Sequence, residues 1–144
     1  VLARPDGTLT DPATGREYYC LFWEGVSGAD YDLSEGFVVA GEDTADFLER
    51  TLARLGLTDR EANEFILYWL PRMEQHPYNL ISFQTSAYTE AAALRVEPQP
   101  DTVIRVFMAW KPLPAPVEAA AQHLPQGPER RGFTLVEWGG AQLA

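Results

Sequence analysis

The side chains best suited to metal chemistry lie in one short segment of the sequence. Met73, Glu74 and His76 fall within four residues of one another. Imidazole and thioether ligands together suit copper, because soft sulfur favours Cu(I) and imidazole binds both oxidation states. His123 is the other of the chain's two histidines, and only the fold would bring it close to the first. These residue types suit a copper site at His76, His123, Met73 and Glu74, but taken alone they favour the alternative of two exposed loop histidines.

An acidic loop carries a weaker metal pattern. Asp30, Asp32 and Ser34 alternate as in the first half of a calcium-binding loop. The glycine that an EF-hand requires is replaced by Glu35, and Gly41 stands where the final glutamate is needed. The segment is therefore not an EF-hand, and the choice is between a weak surface calcium site and a solvated acidic loop.

Two further residues have chemistry that depends on burial. Cys20 is the only cysteine, which excludes an intramolecular disulfide and any cysteine-rich metal site. It lies in an aromatic run that predicts a buried strand over Glu17–Trp23, so an inert thiol is expected. Arg105 interrupts an otherwise apolar strand, and a buried charge must be paired. We expect a structural ion pair rather than an anion site, and the candidate carboxylates are Glu90, Glu97 and Glu64.

The overall charge restricts the classes of partner. With 21 acidic and 11 basic residues the chain carries a net charge of −10. That disfavours nucleic acid, because its binding relies on lysine and arginine to neutralise phosphates. It equally disfavours anionic membrane surfaces, and no apolar run approaches the roughly 18 residues of a membrane span. An acidic surface instead attracts cations or a basic partner.

The elements that position these residues have clear sequence signals. Thr58 and Glu61 have the spacing of a capping box, followed by a helix to about residue 70 with one apolar stripe and Pro71 as its stop. A preceding helix from Asp43 or Thr44 to about Leu55 makes the pair a helical hairpin. Its inward residues are predicted to be Phe47, Leu48, Leu52 and Leu55.

Strands are predicted before and after this hairpin. Their ranges are Glu17–Trp23, Phe37–Ala40, Tyr78–Phe83, Ala91–Glu97, Thr102–Trp110 and Phe133–Trp138, and a short helical turn is expected over 117–122. The pattern predicts an α+β fold with a mainly antiparallel sheet and the hairpin inserted between strands. Residues 1–144 are expected to form a single globular domain, the C-terminal part of a longer precursor.

Three segments together carry a family resemblance. NEFILYWLPRMEQHPYNLISFQ, PDTVIRVFMAWKPL and ERRGFTLVEWGG follow one another in the chain. In this series the chain resembles a group of bacterial extracytoplasmic proteins. The resemblance implies a location at the bacterial cell envelope and, as for members associated with the surface layer, a copper-only superoxide dismutase activity. Such enzymes generally bind copper with four histidines, so carboxylates, methionine or a further segment would have to complete the site here.

Two functions are therefore predicted. The first is a cell-envelope accessory domain that binds copper at His76 and His123 and dismutes superoxide. The second is a non-catalytic envelope module that binds a protein, such as a surface-layer protein, or a polysaccharide through its acidic or aromatic surface. Direct membrane insertion is not expected. The four tryptophans, at 23, 69, 110 and 138, suit either a sugar-stacking platform or core packing, and their places in predicted strands and a helix stripe favour the core.

Overall fold

The computed structural model describes residues 1–26 and 28–144. Its first three strands are two residues each and form a small antiparallel sheet: β1 (Leu2–Ala3), β2 (Leu9–Thr10) and β3 (Glu17–Tyr18). The main sheet has five strands: β4 (Glu35–Ala40), β5 (Tyr78–Phe83), β6 (Thr102–Leu113), β7 (Ala120–Ala121) and β8 (Thr134–Gln142). Their order across the sheet is β7-β4-β5-β6-β8.

Three helices accompany the sheet: α1 (Thr44–Arg54), α2 (Asp59–Met73) and α3 (Thr85–Ala91). The hairpin of α1 and α2 is inserted between β4 and β5, which confirms the predicted α+β fold. The two central pairings, β4 with β5 and β5 with β6, are antiparallel. Both outer strands instead run parallel to their neighbours, β7 to β4 and β8 to β6, so the main sheet is mixed.

The hydrophobic core lies between the helical hairpin and one face of the main sheet. Leu48 and Leu52 of α1 are fully buried there, as predicted, and Phe47 and Leu55 pack against the core from its margin. From α2 the buried stripe contains Ala62, Phe65, Trp69 and Met73. The sheet contributes alternate residues of β6, namely Ile104, Val106, Met108 and Trp110. This alternation assigns Val103, Arg105 and Phe107 to the opposite face.

The predicted capping box is present at the start of α2. The Thr58 hydroxyl accepts a hydrogen bond from the amide of Glu61, and the Glu61 carboxylate accepts one from the amide of Thr58. Burial raises the pKa of Glu61, but the hydrogen bonds from Arg130 and Thr58 lower it by more, so this pKa lies below its usual value. The cap thus also attaches the 127–133 segment to the hairpin.

Removing this cap is expected to have a modest, measurable effect. Thr58→Ala deletes the hydroxyl acceptor and should lower the free energy of unfolding by about 1 kcal/mol. Urea denaturation followed by circular dichroism measures the change. Thr58→Ser keeps the hydroxyl and should stay within a few tenths of a kcal/mol of the wild type. Equal losses in the two variants would show that the hydroxyl does not cap the helix.

The prediction that Pro71 ends α2 is wrong. Pro71 lies inside the helix, which continues to Met73. The continuation places Met73 in the core, fully buried, and its carbonyl accepts a hydrogen bond from the side-chain amide of Asn79 at 3.0 Å. Burial of one more apolar side chain and this bond offset the backbone hydrogen bond that proline removes.

Two other predicted elements differ from the structure. Residues 85–91 form α3, and the segment that follows is irregular rather than the predicted strand Ala91–Glu97. Tyr88 explains the difference, because its ring is buried against Phe107 on the second face of the sheet, with ring centroids 4.2 Å apart. The helical turn predicted over 117–122 is absent, and within that range only Ala120–Ala121 is regular, as β7.

The predicted strand Glu17–Trp23 is also wrong beyond its first two residues. Only Glu17–Tyr18 pairs, and the chain then continues as an exposed irregular segment. Cys20 is therefore exposed rather than buried, and a hydrogen bond with it raises the pKa of Tyr19. An aromatic run becomes a strand only where a partner strand is available, and the short β2 offers no further residues to pair.

Candidate functional site

The predicted copper ligands of the 73–76 segment have structural roles. The Met73 thioether is enclosed in the core, while Glu74 is exposed at the end of α2. His76 is half-buried, and its ring lies 6.0 Å from that of Trp110 between centroids. Its amide donates to the carbonyl of Met73. The segment is thus a helix C-terminus that turns tightly into β5.

His123 lies in a separate groove. It is exposed beside β7 and lines a groove of about 350 Å³ together with Phe37, Arg50, Thr51, Arg54, Gln122 and Leu124. Arg54 donates from Nε to the carbonyl of Leu124 at 3.0 Å, which fixes this wall of the groove. The neighbouring Gln122 amide exchanges two hydrogen bonds of 2.8 Å with the backbone of Phe83.

The sheet register separates the two histidines. His76 precedes Tyr78 at the beginning of β5, whereas His123 follows Gln122, which binds Phe83 at the end of β5. The five steps from Tyr78 to Phe83, at about 3.3 Å each, place these ends roughly 16 Å apart. One copper ion with bonds of about 2 Å does not bridge that separation.

The four predicted ligands therefore do not fit one copper centre. Within residues 1–26 and 28–144, no group of three or more His, Cys, Asp or Glu side chains has the arrangement of a metal site. Met73 is enclosed among apolar side chains, and His76 and His123 lie at opposite ends of β5. The geometry of these four residues supports no reaction step through copper.

The acidic loop has a turn geometry of its own. The Asp32 carboxylate accepts a hydrogen bond from the amide of Ser34 at 2.8 Å, and this bond lowers the pKa of Asp32. The Asp32 carbonyl accepts from the side-chain amide of Gln84. These contacts are those of an Asx-turn attached to Gln84, the residue that precedes α3. The turn accounts for the aspartate at position 32 without a bound cation.

A buried ion pair occupies the second face of the main sheet. Arg105 donates from Nε to Glu137 Oε2 at 2.5 Å, and the two side chains are 6% and 12% exposed. The prediction that Arg105 forms an ion pair is confirmed, but none of the three suggested carboxylates is its partner. Glu137 is adjacent because β8 runs parallel to β6 with residue 137 opposite residue 105.

Aromatic side chains surround this ion pair. The Tyr88 hydroxyl donates to Glu137 Oε1 at 2.9 Å, and the Arg105 guanidinium lies 4.7 Å from the centroid of the Tyr88 ring. Burial, and then the hydrogen bond to Glu137, raise the pKa of Tyr88 to about 12. Trp23 donates from Nε1 to the same Glu137 oxygen at 3.3 Å. Trp23 is therefore the residue that attaches the exposed segment to the sheet.

The exposed segment presents an unusual concentration of apolar surface. We call residues 19–26 the docking strip; its large apolar side chains are Tyr19, Leu21, Phe22, Trp23 and Val26. Phe22 is 76% exposed, and Val26 is as exposed as in an extended chain. Single exposed apolar residues are ordinary, whereas a contiguous group usually marks an interaction site. The strip is the strongest candidate for a functional surface.

Comparison with known proteins assigns neither a family nor a function to this chain. No family model, no curated protein and no solved structure matches this chain. The resemblance to extracytoplasmic proteins, with the location and activity that it implies, stays a prediction.

Sequence reasoning missed two features of this region. The sequence gives no sign that Glu137 is the ion-pair partner of Arg105, because this contact depends on a parallel pairing between distant segments. The docking strip does carry a signal in its dense aromatic composition, but the same composition is typical of a buried strand. The distinction rests on whether a neighbouring strand exists, and the local pattern does not contain that information.

Proposed function

We propose that this protein is a binding module that recognises a partner protein through the docking strip. The observation that carries the proposal is the exposure of five large apolar side chains within eight consecutive residues, on a segment anchored through Trp23. Anchoring one side chain to Glu137 positions the strip while its neighbours remain accessible. Apolar surface held in this way releases water when a partner covers it, which is the main driving force of association.

The chemistry of the strip favours a protein over a polysaccharide. Sugar platforms use flat aromatic rings accompanied by hydrogen-bonding side chains. Here Leu21 and Val26 are aliphatic and exposed among the aromatic residues. The strip therefore suits apolar side chains of a partner, as at the centre of protein interfaces.

The negative charge of the chain indicates which kind of protein partner it would bind. The chain carries a net charge of −10, and Glu24, within the strip itself, makes no ion pair with another described residue. A partner with lysine or arginine around an apolar centre would complement this arrangement and associate faster at low salt. The resemblance to extracytoplasmic proteins makes a basic protein of the cell envelope the expected partner.

A random-peptide library displayed on phage tests the proposal even though the natural partner is unidentified. We expect selection on the wild-type protein to enrich peptides that combine basic and apolar residues. Synthetic versions should bind the Leu21→Ser/Phe22→Ser variant about tenfold or more weakly, because the variant removes two exposed apolar contacts. Calorimetry or fluorescence anisotropy measures the dissociation constants.

A matched control separates the strip from other exposed apolar residues. Leu94→Ser/Val117→Ser changes two exposed apolar side chains elsewhere on the surface and should leave binding unchanged. Both double variants should keep the wild-type fold, since the substituted side chains lie outside the core. Selected peptides that bind the strip variant as tightly as the wild type would refute the proposal.

A further inference from the structure

We infer that the partner binds as an extended β-strand added to the open edge of β8. This inference rests on the proposed function and specifies how the docking strip is used. The edge of β8 runs beside the strip, because Glu137 of β8 accepts the hydrogen bond from Trp23. The occupant is a segment of a basic protein with alternating apolar residues.

The hydrogen-bond register shows which groups of β8 face outwards. Leu143 donates to the carbonyl of Trp110, and the carbonyl of Phe133 accepts from Thr102. In a parallel pair every second residue directs its N–H and C=O to the same neighbour. Odd-numbered residues of β8 therefore bind β6. The even-numbered residues direct their backbone groups away from the sheet: Thr134, Val136, Trp138, Gly140 and Gln142.

In the described part of the chain, this outer edge has no neighbouring strand paired with it. Among the described residues, no backbone hydrogen bond joins the even-numbered positions of β8 to another segment. The opposite edge of the sheet ends in β7, which is only two residues long and offers little to pair. β8 has nine residues without lysine or proline, two of the residues that protect edge strands, and its one charged residue, Glu137, is already paired with Arg105. A long edge of this kind is a template for a further strand.

Apolar side chains flank the edge on both faces of the sheet. On one face lies the docking strip, attached at Trp23. On the other, Tyr68 lies 6.2 Å from Trp138 between ring centroids, and Leu67 beside it is 77% exposed. The side chains of an added strand alternate between these two faces. A strand with apolar residues at alternate positions would therefore contact the docking strip or the Leu67–Tyr68 surface.

Charge favours a basic strand over a second copy of this chain. Two copies would bring together chains with a net charge of −10 each. Like charges on that scale oppose association, whereas lysine or arginine in the added strand would be attracted. The strand should therefore come from a different, basic protein.

Amide hydrogen exchange of the full chain provides the test, with an acetylated and amidated octapeptide of alternating lysine and valine as the probe. In the free protein the odd-numbered amides of β8 should already be protected and the even-numbered ones should exchange fast. At about 1 mM peptide, the amides of Val136, Trp138 and Gly140 should slow by about tenfold or more, because they become hydrogen-bonded. Absence of this protection would overturn the inference.

A second peptide separates strand addition from simple apolar contact. N-methyl groups on its two central residues block both edges of the peptide, because neighbouring residues point in opposite directions. We expect its affinity to be about tenfold or more lower. If the N-methylated peptide binds with the same affinity as the unmodified one, and binding is still lost in Leu21→Ser/Phe22→Ser, strand addition is overturned. The docking strip would then remain the proposed binding surface. If the even-numbered amides exchange slowly without peptide and sedimentation shows a dimer, the edge belongs to a second copy of the chain. That result would also overturn the inference.

Discussion

Glu137→Ala is expected to lower the free energy of unfolding by about 3–5 kcal/mol, because it leaves a buried guanidinium without its counter-ion. The Arg105 side chain is only 6% exposed, so water does not replace the lost carboxylate. The same substitution removes the acceptor for Tyr88 and for Trp23. Urea denaturation followed by circular dichroism measures the loss.

A double variant supplies the control for this prediction. Arg105→Met/Glu137→Leu removes both charges and fills the space with apolar side chains. It should recover most of the stability lost in Glu137→Ala, because replacing a whole buried pair is often neutral. A loss below about 1 kcal/mol in Glu137→Ala would show that the pair is accessible to water and contradict the buried geometry.

Trp69→Ala is expected to cost about 3–5 kcal/mol of the free energy of unfolding, because it empties a large volume between α2 and the sheet. Trp69 is 7% exposed and packs against Phe65. Its ring also lies directly on Gly140, where a Cβ atom would stand 2.8 Å from it. The indole N–H is buried without a protein acceptor among the described residues, so its removal relieves a desolvation cost and favours the lower end of the range.

Leu67→Ala on the same helix is the matched control. The Leu67 side chain is exposed, so the free energy of unfolding of this variant should stay within about 0.5 kcal/mol of the wild-type value. Denaturation curves of the two variants give both values. Equal losses for Trp69→Ala and Leu67→Ala would contradict the assignment of the buried face of α2.

Much of the fold could be predicted where the signals are local. The capping box at Thr58 and the apolar stripe of α2 describe most of one helix, because every contact involved lies within a few residues. The strand Tyr78–Phe83 matches its prediction for the same reason, since an apolar run between turns needs no distant information. The hairpin between β4 and β5 then follows from the order of the elements.

The remainder depends on contacts between distant segments. Tyr88 packs on Phe107 and holds α3, a helix that the sequence did not predict, and β8 pairs in parallel with β6 across an intervening strand and loops. Neither pairing leaves a pattern in the local sequence. The predicted copper residues illustrate the same limit, because the spacing of Met73 and His76 gives no information about where His123 lies.

No helix of the described part of the chain has the length and apolar character needed to cross a membrane. The apolar surface that matters for the proposed function is the docking strip, which lies beside an open strand edge. In the proposed complex, the two features would present apolar side chains and free backbone groups to the same partner. That combination provides both the driving force and the register of an interface.

The most direct measurement is a ¹H–¹⁵N chemical-shift map of the wild-type protein bound to the tightest peptide from the library. The proposed function predicts the largest shifts at the indole N–H of Trp23 and at the amides of Leu21 and Phe22. Shifts confined to the groove around His123, with the docking strip unperturbed, would contradict it.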